Sequence, residues 1–353
     1  MNKTMILALS TLLALPTAIA SSDDETSSAD GSSAAVSSAS GSAQSVSPDP
    51  TAQLAFQAQD VRLSDEQRAA ALRALGSQAS QNGLVAVARG LKDESPIIRE
   101  AAIIGADPYP LEYRWRLVSP LLVDDVAQVR ITAAAGLLKE LDNLDTLGQV
   151  EHQEKQHLMD AASELITHLK NQPDDASNLL LADVYRWTKH YELAKEKYVE
   201  SKKAMPDNPQ VWLSLADNYR AQGMDDRAVA TLNQAIDLLP PNANLHFSKS
   251  LALVRLEQKV QAAKESHLAA TIAESNSYYW YINGVLQEEQ NLAYSTKSFE
   301  KAYMLSGAPE HLYAVCDIYA RYGHDNTDEC LEELANAAPE EVIQQLRDKQ
   351  ITH

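Results

Sequence analysis

Two cysteines are the residues of this 353-residue chain whose type and spacing most plainly allow covalent chemistry. Cys316 and Cys330 fall on the two facing helices of one predicted hairpin. An oxidising compartment would therefore allow them to form a disulfide. Two free buried thiols, or a metal or redox role, are the alternatives that the sequence leaves open.

The nine histidines lack the spacing of a metal site. His152 and His157 face different directions on a predicted helix, and the others are scattered, as at His168, His246, His267, His311 and His324. The sequence has no Cys-x-x-Cys-His haem motif, phosphate loop, Gly-x-Ser-x-Gly elbow or His-Glu-x-x-His motif. We therefore predict a protein that is not an enzyme, with no metal, no cofactor and no small-molecule substrate.

Composition indicates the class of partner. The hydrophobic content is 45%, glycine is scarce, and the formal net charge is -19. Such an acidic chain repels nucleic acid and anionic lipid headgroups, so the predicted partner is a protein, and a cationic protein patch would be attracted. The same charge also serves solubility alone, and the sequence leaves both interpretations open.

Any functional site must be positioned by helices. Residues 173–338 show the spacing of apolar and small residues that is typical of paired helices most clearly. Between residues 209 and 242 the packing and turn residues at helical spacing are Trp212, Leu215, Ala216, Tyr219, Gly223, Ala228, Leu232, Ala235 and Pro240. This spacing resembles a tetratricopeptide repeat, a pair of antiparallel helices that buries its apolar face only by stacking on neighbours. Further copies with a period of about 34 residues predict about five hairpins.

A different repeat precedes this array, in residues 60–145. Asp93 is followed six positions later by Arg99, and Asp124 is followed in the same way by Arg130. This pattern resembles HEAT units. We expect each Asp near the start of a second helix, where its charge favours the positive end of the dipole, and each Arg in an ion pair with a neighbouring unit.

These segments together predict an all-α chain, a right-handed α-solenoid of HEAT-like hairpins followed by tetratricopeptide repeats. An amphipathic linking helix at 147–171 joins the two arrays, and a polar segment at 339–353 caps the open end.

The N-terminus predicts export. Residues 1–20 contain Lys3, an apolar run and the small-residue signal that ends at Ala20, so we predict a signal peptide cleaved after Ala20. The apolar run is too short to span a bilayer, and we expect a mature protein that is not membrane-spanning, in a Gram-negative periplasm. Residues 21–55 are rich in Ser and Ala and predict a disordered tether.

The predicted binding surface is the concave groove lined by the first helix of each hairpin. Its projected residues are Asp183, Arg186, Trp187, Leu213, Asp217, Arg220, Phe247, Tyr278, Tyr281 and Tyr313. Aromatic and Arg anchors ringed by acids are typical of protein-binding surfaces. Asp183 and Asp217 stand where a clamp for a peptide carboxylate has Asn, which argues against such a clamp. The alternative is that segments of the chain itself fill this groove.

The order of segments carries a further resemblance. HEAT-like units ending near VRITAAAGLL, a linking helix, and phrases such as LADNYRAQGMDDRAVATLNQAIDLLP look like the haem-free C-terminal HEAT and tetratricopeptide module of exported multihaem c-type cytochromes. The resemblance implies docking onto an envelope redox complex and no haem binding. We thus expect an exported scaffold or adaptor that binds a partner protein in its groove. A chaperone-like assembly or maturation factor for envelope proteins is the alternative.

Overall fold

The computed structural model describes residues 50–148, 150–172 and 174–350. Within these residues it contains eighteen α-helices and no strand, which confirms the predicted all-α class. The predicted signal peptide and most of the predicted tether lie outside the described residues. No helix in the described part combines the length and the apolar character needed to cross a membrane.

The chain forms two compact units, one that ends at Leu165 and one that begins at Ile166. The first unit holds short helices and two 3-10 helices, Ser119–Val123 and Leu141–Leu147. Its helices are α1 Pro50–Gln59, α2 Asp65–Leu75, α3 Gln81–Gly90, α4 Pro96–Gly105, α5 Leu111–Val118 and α6 Ala127–Leu138, and α7 His152–Lys170 contains the boundary between the units.

Two boundaries differ from the sequence prediction. Helix α1 begins at Pro50 and includes the last residues of the predicted tether, because Ala55 and Ala58 are buried where α1 packs against α2 and α3. A Ser- and Ala-rich composition predicts disorder, but it does not show that these alanines pack against a neighbouring helix. The linking helix starts at His152, after the 3-10 helix that ends at Leu147.

A ladder of Arg side chains connects successive parts of the first unit. Arg99 makes a bidentate ion pair with Asp124, at 2.8 and 2.9 Å, and its Nη1 donates to the carbonyl of Asp93 at 2.8 Å. Arg130 repeats the arrangement, donating to the carbonyl of Asp124 at 2.6 Å and pairing with Glu164 at 2.7 Å. The ion pairs join each Arg to a carboxylate further along the chain.

The ladder has an earlier rung that sequence reasoning missed. Arg68 Nη2 donates to Asp93 at 2.7 Å, so Asp93 receives a side-chain contact as Asp124 does. Both carboxylates also accept an amide hydrogen two residues on, which holds the turn before α4 and before α6. Arg68, Asp93, Arg99 and Asp124 are mostly buried, so the loss of one partner would leave a poorly solvated charge without its counter-charge, which is costly.

The second unit is a series of antiparallel helix pairs. The first helices are α8 Asp175–Trp187, α10 Pro209–Arg220, α12 Ala243–Arg255, α14 Ser277–Gln287 and α16 Pro309–Tyr322. Their partners are α9 Tyr191–Ala204, α11 Asp225–Leu238, α13 Lys259–Ile272, α15 Leu292–Ser306 and α17 Thr327–Leu334. Helix α18, Glu340–Arg347, follows the fifth pair.

The turns inside the first three pairs are built alike. Lys189, Gly223 and Glu257 have positive φ, at 64, 71 and 59°, and they recur at intervals of 34 residues. Only Gly223 adopts this left-handed conformation without a steric cost from Cβ. The next amide closes each turn on an earlier carbonyl, from His190 to Tyr185, from Met224 to Tyr219 and from Gln258 to Leu253, at 2.8, 2.9 and 2.9 Å.

Small residues let the two helices of a pair approach. Ala216 and Ala228 are fully buried, as are Ala252 and Ala262 in the next pair. Trp212 fills the space beside them and its indole nitrogen donates to the carbonyl of Pro206 at 2.9 Å. Helix α11 ends at Leu238, shortly before Pro240, as the missing amide of proline predicts.

The last pair is closed by a covalent bond and by a short helix. Cys316 and Cys330 form the predicted disulfide between α16 and α17, with their Cα atoms 5.5 Å apart. Ile343 and Leu346 of α18 are buried in the same apolar cluster as the two cysteines. Helix α18 therefore covers the outer apolar side of the fifth pair.

We predict that breaking this disulfide loosens the end of the second unit only. A closed loop of about 15 residues contributes about 3 kcal/mol in the chain-entropy model. In the Cys316→Ala, Cys330→Ala double variant, hydrogen exchange of α16 to α18 should therefore accelerate, while α8 to α11 stay protected. Reduced wild-type protein should show the same local change. Equal acceleration in all hairpins would contradict a local role.

We also predict opposite effects from two helical Gly→Ala substitutions. A Cβ on Gly284 would lie 2.7 Å from the ring of buried Phe299, so Gly284→Ala should lower the free energy of unfolding by about 1–3 kcal/mol. At Gly136 the nearest atom is 3.6 Å away, on Ile103, and Gly136→Ala should stabilise by about 0.5–1 kcal/mol. Urea unfolding measures both, and a shift of the same sign in the two variants would refute this packing argument.

Candidate functional site

The candidate site is the first-helix face, defined as the side chains that α8, α10, α12, α14 and α16 present beside one another. Arg220 of α10 donates to the hydroxyl of Ser248 of α12 at 3.2 Å. Phe247 of α12 contacts Tyr278 of α14, with ring centroids 5.8 Å apart. Contacts between consecutive first helices therefore make one row of side chains.

A polar network lies where α8 meets α9. The Tyr198 hydroxyl donates to Asp183 Oδ1 at 2.5 Å and accepts from Arg186 Nε at 3.0 Å, and Arg186 also pairs with Asp183 at 3.3 Å. Burial raises the pKa of the Asp183 carboxyl against the opposing effect of Arg186. Burial, with the adjacent Asp183, raises the pKa of Tyr198 well above its usual value. The phenol therefore stays a donor.

The next hairpin repeats the acid and Arg pair. Arg220 contacts Asp217 at 3.0 Å, three residues earlier on α10, and reaches Ser248 on α12. Its Nε is buried and has no hydrogen-bond acceptor among the described residues. Leu213 of the same helix is half-buried and packs against the apolar cluster around Trp212.

An aromatic cluster occupies α12, α14 and α16, and we define it as Phe247, Tyr278, Tyr279, Tyr281 and His311. Phe247 stacks on Tyr279 with centroids 4.6 Å apart, and Tyr281 stacks on His311 at 5.2 Å. Tyr279 is buried and its hydroxyl donates to Asn244, while Tyr278 and Tyr281 are half-buried. A tyrosine hydroxyl is protonated at neutral pH, and burial raises the pKa of Tyr278 and of Tyr281 further.

At the far end of the face, charges are fully paired. Asp317 accepts from Arg321 Nε at 2.7 Å and from Lys349 Nζ at 2.8 Å. Arg321 also pairs with Glu288, which lies just after α14. Lys349 follows α18, so the segment after the last helix contacts the end of the first-helix face.

The structure places the predicted groove residues on the first helices of the pairs, and several of them are more buried than surface anchors would be. Phe247 is only 3% exposed, so it supports the surface instead of offering an anchor, because Tyr278 and Tyr279 pack over it. Trp187 is half-buried with Arg186 over its ring at 5.8 Å, and Tyr313 is 36% exposed.

The acids predicted to surround the anchors form ion pairs within their own helices. Asp183 and Asp217 each pair with the Arg three residues later, because that spacing places both side chains on the same side of a helix. Sequence projection also missed His311, Arg321 and Lys349. The four-residue spacing of Asp317 and Arg321 could have predicted their ion pair on one side of the helix. Lys349 lies outside the repeats, and no sequence pattern predicts its contact with Asp317.

No known family model matches this chain, and no curated protein sequence matches it. Solved structures similar to it include YrrB, described as a TPR protein with an unusual peptide-binding site, at 17% identity over 53% of this chain and 99% of that one, with a TM-score of 0.42. PilW, a type IV pilus biogenesis factor, is 15% identical over 59% and 98%, with a TM-score of 0.42. MamA is 18% identical over 48% and 95%, with a TM-score of 0.39. The helix pairs of the second unit themselves have a tetratricopeptide-like arrangement.

We predict that Tyr198→Phe destabilises the first hairpin of the second unit. The substitution keeps the ring but leaves Asp183 Oδ1 and Arg186 Nε each without one buried hydrogen bond, at a cost of about 1–3 kcal/mol. Thermal unfolding followed by circular dichroism measures the effect. Tyr294→Phe is the matched control, because Tyr294 is 52% exposed and should tolerate the change. Equal melting temperatures in the two variants would contradict the network.

Proposed function

We propose that this chain is an exported, non-catalytic adaptor that binds a segment of a partner protein on its first-helix face. The observation that carries the proposal is that consecutive first helices place aromatic and guanidinium side chains in contact with one another, as Arg220 contacts Ser248, Tyr278 contacts Phe247 and Tyr281 contacts His311. Aromatic and Arg residues are the types that dominate binding energy at protein interfaces. A surface held in place by stacked helices loses little conformational entropy on binding.

Two features support export of this adaptor. The sequence begins with a pattern typical of a signal peptide that ends at Ala20. The bond between Cys316 and Cys330 belongs to the kind that forms and persists in oxidising compartments such as the periplasm.

Charge acts on the encounter more than on the bound state in this proposal. The net charge of -19 attracts a cationic protein over a distance. Asp183, Asp217 and Asp317 already form ion pairs with Arg side chains, so their charges would add little attraction for a bound cation. We therefore assign the rate of association to charge and the lifetime of the complex to the aromatic contacts.

The partner that we propose is a subunit of an envelope redox complex. The proposal rests on the resemblance of the chain to the module attached to exported multihaem cytochromes. The Arg68, Arg99 and Arg130 ladder supports a HEAT-like interpretation of the first unit, which the same resemblance implies.

We predict that Trp187→Ala combined with Tyr281→Ala abolishes partner binding. The experiment is cross-linking and mass spectrometry of the tagged mature chain in its native envelope, with wild type and variant compared. One stoichiometric partner that is lost in the variant supports a dedicated adaptor. A broad set of newly exported proteins would instead indicate an assembly factor that holds its clients.

The matched control removes similar apolar area away from the face. Tyr294 and Met304 are 52% and 79% exposed on α15, a second helix. Tyr294→Ala with Met304→Ala should leave capture unchanged, and helicity should be equal in all three proteins. Unchanged capture in the Trp187 and Tyr281 variant would refute the first-helix face as the binding surface.

A further inference from the structure

Two second helices, α13 and α15, expose more large apolar side chains than all the first helices of the second unit. Among the described residues the five first helices together expose two, Tyr313 and Tyr322. Helices α13 and α15 alone expose six, which are Val260, Ile272, Leu292, Tyr294, Met304 and Leu305. Exposed apolar residues that concentrate on one side of a protein are typical of an interaction surface.

The outward side of α15 combines apolar groups with positive charge, and we define it as the α15 patch. Its members, at spacings of three and four residues, are Tyr294, Lys297, Lys301 and Met304. These spacings place the four side chains on one side of the helix. The ring of Tyr294 also contacts His267 of α13, with centroids 5.7 Å apart, so the outward sides of α13 and α15 are continuous.

The positive charge of the α15 patch is not neutralised by its own surroundings. The single acid of α13, Glu265, is buried and pairs with Lys249 at 2.6 Å. The single acid of α15, Glu300, accepts from the hydroxyl of Tyr319 at 2.7 Å. None of the described residues forms an ion pair with either Lys of the patch, and both are therefore free to meet an incoming carboxylate.

The neighbouring second helix, α17, has the opposite charge. It contacts α15 where the hydroxyl of Tyr303 donates to Glu333 at 2.5 Å. The eight residues of α17 include four acids and no basic residue, and Glu329 and Glu332 are exposed. One side of the second unit therefore places a Lys-bearing, apolar helix beside a strongly acidic one.

We propose that this side of the second unit binds a second copy of the chain in a two-fold symmetric dimer. In a two-fold interface both partners use the same surface, so each contact between α15 and α17 occurs twice. An axis between these two helices and parallel to them lays α15 of each copy over α17 of the other. The two Lys of the α15 patch then face Glu329 and Glu332 of the second copy, and Tyr294 and Met304 are covered.

Charge complementarity favours a second copy as the occupant. The net charge of -19 makes two copies repel each other at a distance, so association is favoured only where opposite charges meet locally. Helices α15 and α17 supply both signs side by side, which is the arrangement that a two-fold axis makes self-complementary. The dimer uses no residue of the first-helix face, so it is a second interaction beyond the proposed function.

Analytical ultracentrifugation of the full mature chain tests the dimer, and we expect the wild type to dimerise as its concentration rises. The Lys297→Glu, Lys301→Glu variant and the Glu329→Lys, Glu332→Lys variant should each be monomeric, because like charges then face each other. An equimolar mixture of the two variants should form a heterodimer, because each α15 again meets an α17 of opposite charge.

The mixture separates a lost interface from a damaged fold, since a misfolded variant would not be rescued by the other one. Circular dichroism of each variant checks that helicity is kept. A wild type that stays monomeric at every concentration, a variant that dimerises alone, or a mixture of folded variants that stays monomeric would overturn the proposal.

The matched control reverses the same number of charges on another second helix. Lys202→Glu with Lys203→Glu on α9 should dimerise as the wild type does, whereas a monomeric control would assign the effect to net charge and overturn the role of the α15 patch. Tyr294→Ala with Met304→Ala should weaken the dimer about tenfold or more, because it removes the apolar centre of the contact. Capture of the partner on the first-helix face should stay unchanged in that variant, and undiminished dimerisation would contradict the apolar contact.

Discussion

The second unit depends on one constraint: a pair of helices cannot bury its apolar face without a neighbour. Ala216 and Ala228 are fully buried because the helices of a pair approach closely, and Trp212 and Leu245 belong to the cluster that joins this pair to the next. This packing fixes the order and spacing of the first helices. The first-helix face is thus a by-product of the same burial that makes the fold stable.

The constraint is hardest to meet at an end. Among the described residues the single helix α18 follows the fifth pair, and three contacts close together stabilise this end. The disulfide joins its two helices, Ile343 and Leu346 cover its apolar side, and Lys349 pairs with Asp317. Each contact replaces part of what a further repeat would have supplied.

Periodicity predicted the hairpins well because apolar spacing records which side of a helix is buried. Gly223 in the turn and the five pairs after Asp174 follow from that spacing. The pairing of the disulfide also follows, since facing helices bring Cys316 and Cys330 together.

The state of individual side chains did not follow from the sequence. Periodicity places Phe247 and Asp183 on the first-helix face. In the structure Tyr279 packs over Phe247 and buries it, and Arg186 forms an ion pair with Asp183. Such outcomes depend on rotamers and on contacts between helices that lie about 34 residues apart, which a single helix pattern does not contain. The ion pair of Arg68 was not predicted for a related reason, because its partner Asp93 lies 25 residues further along the chain.

The Arg ladder of the first unit has a consequence for how this chain changes length. Arg68, Arg99 and Arg130 recur at intervals of 31 residues, and Asp93 and Asp124 keep the same interval. Removing or adding one whole interval leaves every remaining guanidinium opposite a carboxylate. An insertion inside a helix between an Arg and the turn that holds its carboxylate would rotate the guanidinium away and leave a mostly buried charge alone, which is costly. A change of one whole 31-residue interval is therefore a change of length that keeps the remaining ion pairs of the ladder together.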